Sequence, residues 1–161
     1  MKEIVQVGHN VLREEVRPVP LKDITTPKIQ RIIQDMKEAL ANEDDGVAIA
    51  APQIGVSLSI FVVSHKVFEH QTDPQDEVFI NPTITKLSRK KSELEEGCLS
   101  VRGVFGKIKR ADKATVIAYN EQGEKKTVGG SGLLAQIFQH ETDHLKGALF
   151  IDNATELINV D

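Results

Sequence analysis

Apolar side chains near the start of the chain recur at helical spacing. Two threonines precede Pro27, which is typical of a helix start. The apolar positions that follow lie on one helical face: Ile29, Ile32, Ile33, Met36 and Leu40. The pattern predicts a helix over about residues 27–42, preceded by some twenty irregular residues that contain Pro18 and Pro20.

Short apolar runs later in the chain predict strands. They cover residues 59–64, 78–80, 83–87, 114–119 and 125–128. The last two flank a turn-like segment and suggest a hairpin. Residues 66–77 are polar and predict a loop, whereas residues 92–100 are mixed. A second helix is predicted over about 132–145, closed by Gly147. We therefore expect an α+β fold, with short, mainly antiparallel sheets packed around this second helix.

Composition narrows the possible functions. The 161 residues predict one domain over 1–161, and 40% hydrophobic with 27% charged residues is typical of a globular protein. A net charge of −4 predicts no general affinity for DNA. No apolar run reaches the ~18 residues of a membrane span, and the start lacks the pattern of a secretory signal. We expect a cytoplasmic protein without a membrane partner.

The second predicted helix carries the strongest chemical signal, the pattern H-E-x-x-H. His140 and His144 are four residues apart and share one helical face, where both rings can hold one cation, and Glu141 can reach a water beside it. Leu133 and Ile137 extend the same face, so it points inward, where unpaired imidazoles need partners. The alternative is an amphipathic helix with two half-buried histidines and no metal.

A catalytic metal site usually has three protein ligands, so a third is expected elsewhere. Phe150 occupies the position of the third metzincin histidine, and Glu156 is the one glutamate after His144, with little room for a second ligand-bearing helix. The upstream candidates are Cys98, His9, His65 and His70. The three histidines lie among polar or loop residues and are expected at the surface. Cys98 is the only cysteine; it is either a small buried apolar residue or a metal-bound thiolate. With two histidines it would suit Zn(II) or Fe(II).

Three segments together resemble the peptide deformylase family. Residues 46–53 read G-V-A-I-A-A-P-Q, residues 96–100 read E-G-C-L-S, and residues 139–147 read Q-H-E-T-D-H-L-K-G. The family has G-x-G-x-A-A-P-Q, E-G-C-L-S and Q-H-E-x-D-H-L-x-G in this order. The resemblance extends from the N-terminal region to about residue 152, and the second and third segments match fully.

The chain departs from the family pattern at three places. Ala48 stands where the family usually has its second glycine. This difference bears on catalytic efficiency and substrate range, and it does not affect the metal site. Arg102 stands where many members have proline. The given sequence ends at Asp161, so we expect no counterpart of the C-terminal helix that resembles a ribosome-docking element in many bacterial members. Compact members, some of them phage-encoded, also lack this helix. Ribosome association is therefore an open alternative for this chain, without the usual docking helix.

The resemblance implies hydrolysis of the N-formyl group on the starting methionine of a nascent polypeptide, which releases formate. It also implies one divalent metal held by Cys98, His140 and His144. In the cell this metal is typically Fe(II), and Zn(II), Ni(II) or Co(II) can replace it in purified protein. Glu141 would move the proton, and the side chain of Gln53 and the N–H of Leu99 would stabilise the oxyanion.

An apolar slot beside the metal should take the methionine side chain. Its candidate walls, by position relative to the motifs, are Val47, Ala48, Leu94, Gly97, Leu133 and Ile137. Asp143 is expected either to orient a ligand or to cap a neighbouring group.

Two alternatives remain at this point: a small metallopeptidase of other specificity, and a non-catalytic metal-binding protein similar to deformylases. A structural metal site needs neither Glu141 nor Gln53, so their presence favours the enzyme.

Overall fold

Two α-helices, eight strands and five short 3-10 helices make up the regular structure of residues 2–160, the part of the chain that the computed structural model describes. Helix α1 spans Pro27–Ala41 and helix α2 spans Leu133–Leu145. The strands are β1 Ala48–Ala50, β2 Ile60–Val63, β3 Glu77–Leu87, β4 Lys91–Cys98, β5 Val101–Ala111, β6 Lys113–Tyr119, β7 Lys125–Ser131 and β8 Thr155–Asn159. Neither helix is long and apolar enough to cross a membrane. Met1 and Asp161, the predicted ends of the domain, lie outside the described residues.

The strands form two antiparallel sheets. One has the order β1-β2-β3-β6-β7 and the other has the order β4-β5-β8. Helix α2 contacts strands of both sheets, including β7, β1 and β5, whereas α1 packs on β1 and β2. The prediction of an α+β fold with short antiparallel sheets around the second helix is confirmed.

Strand β2 shows how the larger sheet separates two parts of the core. Successive side chains of a strand point to opposite faces. Ile60 and Val62 pack into the cluster under α1, whereas Phe61 and Val63 pack into the cluster that holds the apolar face of α2. All four are completely or almost completely buried. This continuous apolar strand therefore fixes α2 against the sheet and positions the H-E-x-x-H motif.

The sequence-based strand predictions need three corrections. Residues 78–80 and 83–87 belong to one strand, β3, whose register shifts after Ile80. There Asn81 takes a positive φ, and its side chain hydrogen-bonds the backbone N–H and C=O of Val19. The mixed segment 92–100 is mostly strand β4, and β5 and β8 were not predicted. Strands β4 and β5 carry many exposed charged positions and β8 is exposed along its whole length, so their pairing rather than a local apolar period defines them.

Candidate active site

Three potential metal ligands converge where β4 ends against α2. Cys98 is the last residue of β4, and His140 and His144 lie one helical turn apart in α2. Cys98 Sγ is 3.2 Å from His144 Nε2, which is 3.1 Å from His140 Nε2. The three ligand atoms all lie within 4.8 Å of one another. His9, His65 and His70, the other candidates, are exposed.

The donor set fits a divalent metal. The carboxylate of Glu96 lies 2.7 Å from Nδ1 of His140, which makes this ring nitrogen the donor and leaves Nε2 facing the other two ligand atoms. Burial lowers the pKa of His140, but the hydrogen bonds with Cys98 and Glu96 outweigh it and raise the pKa above its usual value, so metal binding would release the Nε2 proton. Burial, and then the neighbouring His140, lower the pKa of His144, which favours its neutral form. Two ring nitrogens and a sulfur at these distances can share protons with one another, and the same three atoms are a donor set that a single divalent cation can use.

A buried ion-pair network holds His140 in this orientation. Arg110 in β5 donates to both oxygens of Glu96, at 3.1 and 2.6 Å, and to Asp143 at 2.9 Å. Gln136 donates to Glu96 at 3.1 Å as well. Burial alone would raise the pKa of Glu96, but the hydrogen bonds from His140 and Arg110 outweigh it and lower the value to about 2. Glu96 therefore stays ionised and keeps its hold on the His140 ring.

Glu141 lies beside the same three atoms with one oxygen unpartnered. Its Oε2 is 3.9 Å from His140 Nε2, and its Oε1 is buried without a hydrogen-bond partner among residues 2–160. Burial raises the pKa of this carboxyl group to about 7. A buried carboxylate oxygen without a partner is costly unless something else binds there, so the position suits a group that exchanges a proton with water or substrate.

The two predicted oxyanion donors lie next to Cys98 in the structure. Gln53 belongs to a short 3-10 helix, Ala51–Ile54, and its Oε1 accepts from the N–H of Ala50 at 2.9 Å. Its Nε2 donates to the hydroxyl of Ser100 at 3.1 Å and lies 3.7 Å from Cys98 Sγ. Leu99 directly follows Cys98 in the tight turn between β4 and β5. The side-chain amide and the Leu99 backbone are therefore both next to the thiol.

A cavity of about 340 Å³ opens onto this group. Its polar lining includes Cys98, His140, Glu141 and Gln53. Five of the six predicted slot residues also line it, namely Val47, Ala48, Gly97, Leu133 and Ile137. Leu94 is not among the described residues that line it; it is half-buried on β4, in register with Ile108 of β5. The structure therefore removes Leu94 from the cavity wall.

Two small residues define the cavity's shape. Ala48 is buried in β1 and packs into the cluster around α2. Its φ is negative, because the non-glycine residues with positive φ among 2–160 are Asp73, Asn81 and Glu156. The backbone there has no need for glycine. At Gly97 a Cβ would lie 2.5 Å from the ring of Phe105, so close packing, rather than an unusual φ, requires glycine.

The sequence analysis missed the supporting residues of the site. It assigned no role to Arg110 and left Asp143 between two roles, and the structure pairs these two side chains. It placed Glu96 in a motif but named no side chain that Glu96 contacts. Arg110 lies in a run of alternating basic residues that reads as a solvated strand, so no local signal marks it as buried. Glu96 could have been singled out as the acid closest to the motif cysteine.

Comparisons with known proteins agree with this geometry. A family model described as polypeptide deformylase matches residues 1–159. Peptide deformylase 2 of Clostridium acetobutylicum is 44% identical over 158 residues, which cover 98% of each chain. The crystal structure of a peptide deformylase from Legionella pneumophila has a TM-score of 0.86 at 35% identity, over 97% of this chain and 87% of that one. A Synechococcus elongatus peptide deformylase in complex with actinonin has a TM-score of 0.83 at 29% identity, over 96% and 79%. The chain belongs to the polypeptide deformylase family.

Proposed function

We propose that Glu141, Gln53 and the Leu99 N–H carry out the deformylation reaction in this chain, at a metal held by Cys98, His140 and His144. As a peptide deformylase, the protein removes the N-formyl group from nascent polypeptides. Water adds to the formyl carbon, the amide C–N bond breaks, and the products are formate and a free amine. The convergence of the three ligand atoms beside the unpartnered oxygen of Glu141 supports this assignment most strongly.

Each residue has a role that its position allows. When bound, the metal lowers the pKa of water and so makes a nucleophile available near neutral pH. Glu141 accepts the proton of the attacking water and later donates it to the leaving amine. The Gln53 amide and the Leu99 N–H donate hydrogen bonds to the oxyanion that develops on the formyl oxygen. Gln53 belongs to a buried 3-10 helix and Leu99 to a tight turn, so the two donors need little reorganisation when the oxyanion forms.

The cavity walls favour a methionine side chain next to the formyl group. Val47, Leu133 and Ile137 are apolar, and Ala48 and Gly97 leave space between them. An unbranched thioether side chain can adapt to such a slot. We therefore propose formyl-methionyl peptides as substrates, with Leu133, which is half exposed, at the rim of the slot.

The metal is proposed to be Fe(II) in the cell. A sulfur with two imidazole nitrogens is a donor set that suits both Fe(II) and Zn(II), and Ni(II) or Co(II) can take their place in purified protein. A ferrous ion with a thiolate ligand is oxygen-sensitive, so purification in air should lower activity. We place the reaction in the cytoplasm, where nascent chains emerge and a lone cysteine stays reduced.

Formate release from a formyl-Met tripeptide tests the proposal. Anaerobically prepared, iron-loaded protein should release formate from this peptide and should not cleave the same peptide when it is unformylated. Release of methionine or internal cleavage of the unformylated peptide would support a metallopeptidase of other specificity. Metal binding without any turnover would support a non-catalytic protein.

A further inference from the structure

Residues 5–7, here called the N-terminal clamp, join the two segments that supply the proposed oxyanion donors. The N–H of Val5 donates to the carbonyl of Gln53 at 2.7 Å. The N–H of Val7 donates to the carbonyl of Ser100, also at 2.7 Å. Backbone bonds of the clamp therefore hold the 3-10 helix of Gln53 and the turn after Cys98 side by side.

Between these two bonds, the side chain of Gln6 reaches the carbonyl of Leu99. Its Nε2 donates to the Leu99 carbonyl at 2.9 Å, and its Oε1 accepts from the N–H of Arg102 at 3.4 Å. One amide thus spans the turn between β4 and β5, whose register is already irregular between Gly97 and Cys98. The bond joins residues 93 positions apart, so it is a tertiary contact and not a local turn.

Fixing the Leu99 carbonyl also limits rotation of the Leu99 N–H. The two groups lie in successive peptide planes that meet at the Leu99 Cα, so the bond from Gln6 restricts the N–H through the two backbone dihedral angles of Leu99. The neighbouring Ser100 is held separately, by Val7 at its carbonyl and by Gln53 at its hydroxyl, whereas Gln6 acts on Leu99 itself. Electrostatic stabilisation of an oxyanion depends on donors that are already aimed before the reaction. We propose that Gln6 is a positioning residue for the deformylation reaction, which acts by holding the Leu99 N–H toward the formyl oxygen. This inference rests on the proposed role of Leu99.

Gln6→Met is the informative variant, because methionine keeps the length and removes the two bonds that span the turn, together with a longer local one, 3.4 Å, from Nε2 to the Ile4 carbonyl. The chain offers a matched control in Gln30, which is also half-buried and whose Nε2 donates to the carbonyls of Ile24 and Glu121, at 2.8 and 2.9 Å. Gln30→Met removes a comparable pair of bonds away from the cavity. If Gln6 contributed only to stability, the melting temperature would fall in both variants and kcat would stay at the wild-type value in both.

The experiment measures kcat and KM for a formyl-Met tripeptide, metal content and melting temperature in zinc-loaded wild type and variants. We expect kcat of Gln6→Met to fall about tenfold to a hundredfold while KM changes less than about twofold. Metal content should stay at the wild-type level, and Gln30→Met should keep its kcat. The amide ¹H–¹⁵N signal of Leu99 should shift in Gln6→Met and not in Gln30→Met.

Gln6→Glu serves as the second variant if Gln6→Met does not fold. Glutamate keeps an acceptor for the N–H of Arg102 but places a carboxylate oxygen against the Leu99 carbonyl, so kcat should fall at least as far. A folded Gln6 variant with unchanged kcat and an unshifted Leu99 signal overturns the inference. A wild-type protein that releases no formate from the formyl peptide would instead overturn the proposed function.

Discussion

Replacing Arg110 by methionine tests the buried ion-pair network behind the metal ligands. The Arg110 and Glu96 side chains are only 7% and 4% exposed, and they share two of the network's hydrogen bonds. Methionine retains much of the arginine stem but leaves Glu96 as a buried carboxylate held by His140 and Gln136 alone. Removing one partner of a buried pair costs about 3–5 kcal/mol, because the other charge stays desolvated. For a chain of this size that lowers the melting temperature on the order of 10 °C.

The chain contains a matched control for this prediction. Arg13 makes the same two-bond contact with Asp152, at 2.7 and 3.0 Å, but the two side chains are 47% and 35% exposed. Solvent already screens that pair, so Arg13→Met should cost no more than about 1 kcal/mol. Both variants are unfolded with urea in the zinc-loaded form at one free zinc concentration, and the separately measured change in zinc affinity is subtracted.

Zinc affinity is the second readout. Glu96 orients His140, so a displaced Glu96 should weaken zinc binding about 10- to 100-fold in Arg110→Met and leave it unchanged in Arg13→Met. Competition with a chelator measures both affinities. If Arg110→Met loses no more stability than Arg13→Met, the reasoning from desolvation is wrong. If zinc affinity is unaffected, Arg110 does not act on His140 through Glu96.

Three further predictions concern the site itself. Cys98→Ala should lose tight metal binding and His65→Ala should keep it, as measured by metal content after dialysis; the reverse result would refute the ligand assignment. Glu141→Ala should bind metal nearly normally yet lose activity by a factor of at least ~10², and unchanged turnover of the metal-loaded variant would exclude it as the base. Ala48→Gly should change kcat/KM for a formyl-Met tripeptide by less than about tenfold, or ~1.4 kcal/mol, because the negative φ there needs no glycine. A gain of a hundredfold or more would instead show that the Ala48 methyl obstructs the substrate.

The sequence by itself determined the features that depend on short spacing. Helix α1 follows from its proline start and the apolar stripe, and the two histidines four residues apart share a face of any α-helix. The hairpin of β6 and β7 follows from a polar turn between two apolar runs. Together with one cysteine in a family motif, these local patterns were enough to predict the fold class and the family. They also named three metal ligands, Cys98, His140 and His144, which stay a prediction.

Only the tertiary structure decided which distant side chains support that ligand set. Strands β4, β5 and β8 have no strong apolar period of their own, so their existence depends on pairing partners. By its sequence neighbours, Arg110 resembles a basic residue of a solvent-exposed strand. In the structure β5 packs beside α2, and Arg110 contacts Glu96 and Asp143, the latter 33 positions away in the sequence. Leu94, expected in the slot, lies outside the cavity lining among the described residues. Burial and charge pairing arise from contacts between elements, and no local spacing contains that information.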